Sequence, residues 1–343
     1  MSNSVDISSF YNEAFKARQL GSLTIEVTSS CNFLCRHCYV DQSSNNFLEY
    51  ETIIGIIDEA RDLGVLDILF TGGEILLRDD ILEIVTYARE KHIRVSLMSN
   101  SSLLTEDFVK SLSNLYISEF STTLFSLDNE KNDFITRSRG STHKIMKSLE
   151  LLEKYKIPTR VKVPLLNING DDYSLIEEYC NQHGFTCASS PVIFPRKDKG
   201  VEPLEHLTTN EQLSRIITSF REKDNDSFPI VFNKKERICK SLQYSLAIDS
   251  SGKVFPCNSF FYEVGNIFND SLKNIWLESS KLREVQDMTN EQLNDCNDCI
   301  YNVWCSFCPG ISFGENNSFL KCSFSAKRIA EVRYKCFGKE VNV

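Results

Sequence analysis

The alternation of apolar and polar residues along the chain predicts a regular succession of strands and helices. Apolar runs of strand length alternate with segments in which apolar residues recur every three or four positions, as they do on one face of a helix. The predicted strands are residues 23–28, 66–70, 94–98, 119–127, 159–165 and 185–193, and the predicted helices are residues 49–63, 80–90, 105–112, 143–155 and 173–182. This order is typical of a parallel sheet with right-handed crossovers. Because a closed barrel needs eight strands, we expect an α/β fold, a partial (β/α)6 TIM-like barrel.

Polar or glycine-rich residues follow each of the first five predicted strands. They are residues 31–38, 71–74, 99–100, 126–128 and 167–169. All of them come at the carboxyl end of a strand, which is the edge where parallel α/β folds build their active sites. The pattern therefore predicts one functional site at this edge.

Composition narrows the class of protein. The chain has 343 residues and a formal net charge of −9, which argues against binding of nucleic acid, because neutralising phosphates needs basic surface. No apolar run is long enough for a membrane span, and no signal peptide is visible at the amino terminus, so we expect no membrane association and a cytoplasmic location.

The number and grouping of the cysteines indicate that they bind metal. There are 13 of them, an odd number, and without a secretory signal a disulfide framework is a poor explanation. Most fall into two groups, one near the amino terminus and one between Cys239 and Cys336. We expect an amino-terminal extension over residues 1–22, the barrel over 23–200, a linker with a helix over 201–238 and a small cysteine-rich domain over 239–343.

The first group, Cys31, Cys35 and Cys38, has the spacing Cys-x3-Cys-x2-Cys on one predicted loop. Three thiolates there can hold three corners of a [4Fe–4S] cubane, and since no fourth cysteine lies nearby, the fourth iron would stay open for a ligand. The alternative is a zinc site of three thiolates completed by His37.

The array resembles the signature of the radical S-adenosylmethionine (SAM) superfamily. Gly72-Gly73-Glu74 is similar to the family's GGE motif, in which glycines allow close approach to SAM and the carboxylate pairs with its ammonium group. The resemblance implies that SAM binds the open iron and is cleaved to a 5′-deoxyadenosyl radical. It also implies SAM contacts from a further set of residues: Ser99, Asn100, Ser126 and His37. Asn129 and Arg137 stand where the family usually has glycine, which puts the local turn in doubt.

The second group resembles the SPASM extension, a cluster-binding domain of peptide- and protein-modifying radical SAM enzymes. A hairpin over residues 245–255, a turn over residues 265–267 and a helix around Trp276 accompany its cysteines. The resemblance implies an outer auxiliary cluster on Cys296, Cys299, Cys305 and Cys322, and an inner one on Cys239, Cys257 and Cys308. It thus implies three [4Fe–4S] clusters in all. The fourth position of the inner cluster is open to substrate or filled by Cys336 or another residue, and structural zinc is the alternative for the whole domain.

Two residues are candidates for a catalytic role. Cys187 lies on the last predicted strand and would serve as a hydrogen-atom donor if it points into the barrel, whereas core packing is the alternative. Lys162 alternates with apolar neighbours on the fifth strand and faces either SAM or substrate in this interpretation. The charged run 196–199 has its simplest explanation as a solvated loop.

The function that we predict is maturation of a ribosomally synthesised peptide, with a thioether or carbon–carbon cross-link as the modification. The alternatives are oxidation of a protein Cys or Ser, as in anaerobic sulfatase-maturing enzymes, peptide epimerisation, and a non-catalytic Fe–S or zinc scaffold. The expected partners are a precursor peptide and a reductant such as flavodoxin or ferredoxin. Because only about twenty residues precede the first strand, leader recognition would come from a separate protein or from the barrel or its extension, or would not occur.

Overall fold

Nine strands form one continuous sheet in the computed structural model, which describes residues 13, 17, 19–40, 45–223 and 227–339. The strands are β1 (Ser22–Thr28), β2 (Asp67–Gly72), β3 (Arg94–Ser99), β4 (Glu119–Thr123), β5 (Thr159–Pro164), β6 (Thr186–Ser190), β7 (Ser245–Ile248), β8 (Lys253–Phe255) and β9 (Gly265–Asn266). Their order in the sheet is β6-β5-β4-β3-β2-β1-β7-β8-β9. Strands β1 to β6 are parallel to their neighbours, which confirms the predicted partial barrel.

Twelve α-helices occur in the described part of the chain. They are α1 (Tyr50–Asp62), α2 (Ile81–Glu90), α3 (Glu106–Ser113), α4 (Asn129–Thr136), α5 (Ser141–Lys154), α6 (Tyr173–Gln182), α7 (Asn210–Glu222), α8 (Leu272–Glu278), α9 (Ser280–Gln286), α10 (Asn294–Asn297), α11 (Pro309–Asn316) and α12 (Phe324–Phe337). The crossover helices bury one apolar face; in α1 this face consists of Ile53, Ile56, Ile57 and Ala60. The Thr105 side chain accepts a hydrogen bond from the Phe108 N–H and caps α3, as its residue type predicts.

Each barrel strand alternates between a face covered by helices and a face turned to the inside of the barrel. In β5, Val161 and Val163 are fully buried against the helix layer, whereas the residue between them, Lys162, is only partly buried. Residues paired across neighbouring parallel strands share a face, so register decides which side chains reach the inside.

The segment between β4 and α5 differs from the prediction. Strand β4 ends at Thr123, four residues earlier than predicted, and the chain then leaves the sheet. Helix α4 was not predicted; it begins after Asp128, whose side chain accepts a hydrogen bond from the Lys131 N–H. Arg137, which ends α4, has φ +52°, so the position that holds glycine in the resembled family does need a left-handed residue.

The cysteine-rich region continues the barrel sheet. Strand β7 pairs in parallel with β1, and the predicted hairpin of β7 and β8 extends the sheet by one antiparallel strand. Gly265 and Asn266, predicted as part of a turn, form the short edge strand β9. One apolar core also crosses the predicted boundary near residue 239, since Leu246, Ile248 and Val254 pack with the barrel core.

No helix in the described ranges is both long enough and apolar enough to cross a membrane.

Candidate functional site

The loop that carries the first three cysteines leaves β1 and is tied to the end of α4. The Leu34 N–H donates to the Thr136 carbonyl at 3.1 Å, and the Arg36 N–H donates to the Ile135 carbonyl at 3.0 Å. The Arg36 side chain also lies over the Phe134 ring, 3.9 Å from its centroid. These last carbonyls of α4 lack partners within the helix, so the loop satisfies them and is held by them.

Cys31, Cys35 and Cys38 line one pocket of about 150 Å³ at the carboxyl ends of the strands. The pocket walls also include His37, Gly72, Gly73, Ser99, Asn100, Thr71, Thr123, Met98 and Phe125. The structure therefore brings together the cysteine array, the glycine pair and the residues after β3, as the strand-end pattern predicts.

Burial disfavours the charged form of all three thiols. It raises the pKa of Cys31 to about 11, and it also raises the pKa of Cys35 and of Cys38. Two donors nevertheless point at the Cys31 sulfur: the Phe33 N–H at 3.4 Å and the Asn100 Nδ2 at 3.7 Å. Buried thiols of this kind become thiolates when a cation binds them, so the raised pKa values are compatible with a role as cluster ligands.

The glycine pair lets the loop after β1 lie directly against β2. A Cβ on Gly73 would stand 2.2 Å from the Ser30 carbonyl oxygen, and one on Gly72 would stand 2.2 Å from the Thr28 carbonyl oxygen. Gly72 also has φ +151°. Any side chain at these positions would push the cysteine loop away from the sheet.

Glu74 is fully buried behind the pocket wall, and its carboxylate binds protein donors. It accepts hydrogen bonds from the Ser99 hydroxyl at 2.6 Å, the Asn100 N–H at 2.7 Å and the Leu76 N–H at 2.9 Å. Burial raises the pKa of Glu74, and these hydrogen bonds lower it. Since Asn100 in turn contacts the Cys31 sulfur, Glu74 holds together two walls of the pocket. The contact predicted between Glu74 and the ammonium of SAM stays a prediction.

His37 lies edge-on to Phe125, with 4.9 Å between ring centroids. Its Nδ1 is buried and has no hydrogen-bond partner among the described residues. Burial lowers the pKa of His37 to about 4, and the charge of His206 lowers it further. The pocket wall therefore holds a neutral imidazole with one polar atom that lacks a protein partner.

Ser126 does not reach the pocket. Its hydroxyl donates to Asp172 Oδ2 at 2.7 Å and accepts from the Asp128 N–H at 3.0 Å. Because the chain leaves the sheet after Thr123, Ser126 falls in the turn before α4 and fixes that turn. Ser126 is therefore not among the residues that line the pocket, and the cofactor contact expected of it stays a prediction.

The two catalytic candidates face opposite sides of the sheet. Cys187 pairs in register with Val161, which is buried on the helix side, and its thiol contacts Cys180 of α6. The hydrogen-donor role predicted for Cys187 therefore has no support from the geometry, because its side chain is turned away from the pocket.

Lys162 pairs with Thr123 of the pocket wall, and its Nζ lies 3.8 Å from Met98 Sδ. Burial lowers the pKa of Lys162.

Four cysteines of the carboxyl-terminal region form one group. Burial raises the pKa of Cys305 to about 12, and the neighbouring charges of Cys296, Cys322 and Cys299 raise it further. Burial likewise raises the pKa of Cys296 to about 11, with Cys322 and Cys299 adding to it. These are the four cysteines that the SPASM resemblance assigns to the outer cluster, and that assignment stays a prediction.

Three further cysteines form a separate inner group. Burial raises the pKa of Cys257 to about 12, and the charges of Cys308 and Cys239 add to the effect. Cys308 stands directly before α11, and burial raises its pKa. Cys336 packs elsewhere, in an apolar cluster with Trp304 and Cys305.

Sequence reasoning missed Lys197. It belongs to the charged run predicted as a solvated loop, yet its side chain is only 15% exposed and pairs with the buried carboxylate of Glu26. The one available signal was Glu26 itself, an acidic residue inside an apolar strand, which needs a buried cation as partner.

Comparison with known proteins agrees with this geometry. Residues 25–182 match the family model of the radical SAM superfamily, and residues 239–300 match the model of the SPASM iron-sulfur cluster-binding domain. The AdoMet-dependent heme synthase of Methanosarcina barkeri is 23% identical over 86% of this chain and 93% of its own length. The antilisterial bacteriocin subtilosin biosynthesis protein AlbA of Bacillus subtilis is 26% identical over 74% of this chain and 58% of its own length.

A solved structure has the same fold. Streptococcus suis SuiB bound to its precursor peptide SuiA superimposes with a TM-score of 0.70 at 16% identity, covering 95% of this chain and 82% of SuiB. At this identity the likeness concerns the fold alone.

Proposed function

This chain is an enzyme that carries a radical SAM domain followed by a SPASM domain, and we propose that it modifies a residue of a ribosomally synthesised peptide. One observation supports the proposed radical chemistry: three thiols, a glycine pair and the residues after β3 line one pocket. The peptide substrate is supported by the SPASM domain and by relatives such as AlbA, whose name refers to bacteriocin biosynthesis.

The residues of the pocket fit a three-cysteine cluster with bound SAM. The thiols stand on the walls of a common cavity, and the cubane offers a separate iron to each of them. The unpartnered Nδ1 of His37 is the polar atom of the pocket wall that we expect to contact SAM. Ser99 and Asn100 line the same pocket, but their polar groups are bound within the protein, to Glu74, Asn32 and Ser102 among others, so they shape the wall. When bound, the cluster and SAM supply a 5′-deoxyadenosyl radical that abstracts a hydrogen atom.

The protein's own groups position these partners. Glu74 fixes Ser99 and Asn100 against the cysteine loop, and the glycine pair allows the loop to approach the sheet. Lys162 is the candidate for contact with substrate, since it lies on the barrel face beside Thr123 and Met98. Its partly buried ammonium would bind a carbonyl or carboxylate group of the peptide.

We assign two auxiliary [4Fe–4S] clusters to the outer and inner cysteine groups, which makes three clusters in all. The outer group has four thiols, a full ligand set for a cubane. The inner group has three, so one of its positions is open to a substrate thiolate. Such a position favours thioether formation, in which one S–H and one C–H bond of the peptide are replaced by a C–S bond. The carbon would give its hydrogen atom to the 5′-deoxyadenosyl radical, the thiol would release its proton, and the remaining electron would pass to the auxiliary cluster.

The decisive experiment is anaerobic. The reconstituted, reduced protein should cleave SAM to 5′-deoxyadenosine, and with the cognate precursor peptide it should produce a peptide lighter by two hydrogens. Flavodoxin or ferredoxin should replace the chemical reductant, and a separate leader-binding protein, where one is encoded nearby, should raise the yield. Cys31→Ala should abolish both products, whereas Cys187→Ala, outside the pocket, should retain them.

Three outcomes would contradict the proposal. Unchanged 5′-deoxyadenosine formation by Cys31→Ala would remove the radical-cluster assignment. Modification of a tetrapyrrole instead of any peptide would place the enzyme with the relatives named heme synthases. Oxidation of a protein Cys or Ser would give an aldehyde without a new cross-link. Because the Ser product is also lighter by two hydrogens, derivatisation of the aldehyde and fragmentation of the peptide distinguish it from a cross-link.

A further inference from the structure

A buried charged cluster lies where the barrel meets the cysteine-rich region. Lys197, which follows β6, pairs with Glu26 of β1, and its Nζ lies 4.0 Å from Asp249 Oδ2 in the β7–β8 turn. The three side chains are 15%, 5% and 13% exposed, respectively. One ammonium therefore connects the first barrel strand with the hairpin that leads to Cys257.

Aromatic rings enclose the same ammonium. The Lys197 Nζ lies 5.4 Å from the ring centroid of Phe261, 5.9 Å from that of Phe255 and 6.0 Å from that of Tyr39. Tyr39 stacks on Phe261, with 5.6 Å between the centroids. Rings around an ammonium exclude water and keep the local dielectric low, so the charge acts over a longer distance than it would at the surface.

The same lysine is attached to the radical-cluster loop through its backbone. The Lys197 N–H donates to the Tyr39 carbonyl at 3.0 Å, and Tyr39 directly follows Cys38. Phe261 is four residues beyond Cys257 of the inner group. The ammonium thus lies between the loop of one cluster and the loop of another.

We propose that the charge balance of the buried pair of Lys197 and Glu26 keeps the reduction potential of the cluster held by Cys31, Cys35 and Cys38 at its native value, so that loss of either charge alone shifts it, with Lys197 acting as a positioning residue. The inference rests on the proposed function, since it presupposes the cluster. Reduction adds one negative charge to the cluster, so a nearby cation favours it and a nearby anion opposes it. In the native protein the ammonium lies between two anions, the Glu26 carboxylate and, at 4.0 Å, the Asp249 carboxylate. Lys197→Met therefore removes the one cation of this group, and Glu26→Gln removes one of its two anions.

This reasoning predicts opposite shifts for the two members of the pair. Lys197→Met leaves the Glu26 carboxylate unneutralised and should make the midpoint potential more negative. Glu26→Gln leaves the ammonium with less compensation and should make the potential less negative. The double variant removes both charges and should return the potential towards the wild-type value, and Lys197→Arg should keep it there. A purely structural role would shift all variants in the same direction or in none.

The experiment is a redox titration of the reconstituted full-length protein, monitored by electron paramagnetic resonance. The radical cluster is identified as the signal that changes on addition of SAM. Lys199→Met is the matched control, because Lys199 is exposed and only two residues away, and its potential should equal that of the wild type. Circular dichroism of each variant shows whether it is folded.

The outcomes separate the two proposals. If the wild-type protein shows no SAM-responsive cluster signal, the proposed function fails. If that signal is present but Lys197→Met and Glu26→Gln shift its potential in the same direction, or leave it unchanged, the role of the pair is overturned. Should Lys197→Met not fold, Glu26→Gln decides alone: a potential that is unchanged or more negative refutes the inference.

Discussion

At the scale of single residues, hydrogen-bond partners decide which polar groups remain available to a ligand. The sequence correctly singled out Glu74, Ser99 and Asn100 as neighbours, because all of them follow strands whose ends meet at one edge. It could not show that the Glu74 carboxylate already accepts three hydrogen bonds from the protein. Such contacts depend on side-chain directions that residue spacing does not contain.

Removal of the Glu74 carboxylate should therefore affect both stability and SAM binding. In Glu74→Ala the Ser99 hydroxyl and the Asn100 N–H lose their buried acceptor, which should cost roughly 1–3 kcal/mol of unfolding free energy. Misplacement of Asn100 should also weaken SAM binding about tenfold or more. Denaturant unfolding and calorimetry on the reconstituted protein measure the two effects. Ser126→Ala is the control, since its hydroxyl lies outside the pocket, and equal SAM affinity of Glu74→Ala and wild type would refute the role of Glu74.

Arg137 provides a second prediction at this scale. Its φ of +52° is unfavourable for a residue with a Cβ by roughly 1–2 kcal/mol, and glycine avoids this strain at some cost in chain entropy. Arg137→Gly should therefore stabilise the protein by about 0.5–1 kcal/mol. Arg139→Gly, at a neighbouring position without positive φ, should bring no gain. The comparison uses denaturant midpoints, and a loss of stability in Arg137→Gly would mean that the arginine side chain contributes more than its backbone strain costs.

At the scale of elements, hydrophobic periodicity predicted the six barrel strands and most of the helices between them. It failed where tertiary contacts decide the outcome. Residues 124–127 are apolar enough to be predicted as strand, yet they leave the sheet, and α4 forms after them with its end bound to the cysteine loop. The face of the sheet to which the Cys187 side chain points could not be predicted from the sequence either. It follows from the register of β6 against β5, and a shift of one residue would turn the side chain to the other face.

The cysteine loop can be tested as a unit that is separate from the two carboxyl-terminal groups. The fully reconstituted protein should hold roughly twelve irons, and the triple variant Cys31→Ala, Cys35→Ala, Cys38→Ala roughly eight, since each cubane contains four. This variant should remain folded and coloured, but it should not cleave SAM. Iron, sulfide and zinc analysis measures the content. Zinc without iron in the triple variant would show that the outer and inner groups are structural zinc sites.

At the scale of the whole molecule, one sheet continues from the barrel into the cysteine-rich region, which the sequence predicts as separate domains. The predicted boundary at residue 239 follows the distribution of the cysteines, and the division of these cysteines into an outer and an inner cluster group stays a prediction. The pairing of β1 with β7 across this boundary was not predictable. The two strands are more than two hundred residues apart, and neither sequence identifies the other strand as its partner. The buried pair of Glu26 and Lys197 was missed for the same reason: its two members come from distant segments.

This continuity leads to a prediction about truncation. A chain that ends at residue 238 keeps all six barrel strands, yet it loses β7, which covers the edge of β1 through four paired residues. It also loses Leu246, Ile248 and Val254 from the common core, and it leaves Glu26 near the exposed edge with Lys197 but without Asp249. An open apolar strand edge promotes association between chains. The truncated chain should therefore aggregate or unfold without cooperativity, as judged by size-exclusion chromatography and circular dichroism.

The control is the full-length chain with Cys296, Cys299, Cys305 and Cys322 changed to alanine, which lacks the outer ligand set but keeps the β1–β7 pairing and should stay soluble with an intact barrel. If the truncated chain instead remains monomeric and unfolds cooperatively, the barrel is an independent domain, and the pairing of β1 with β7 contributes little to its stability.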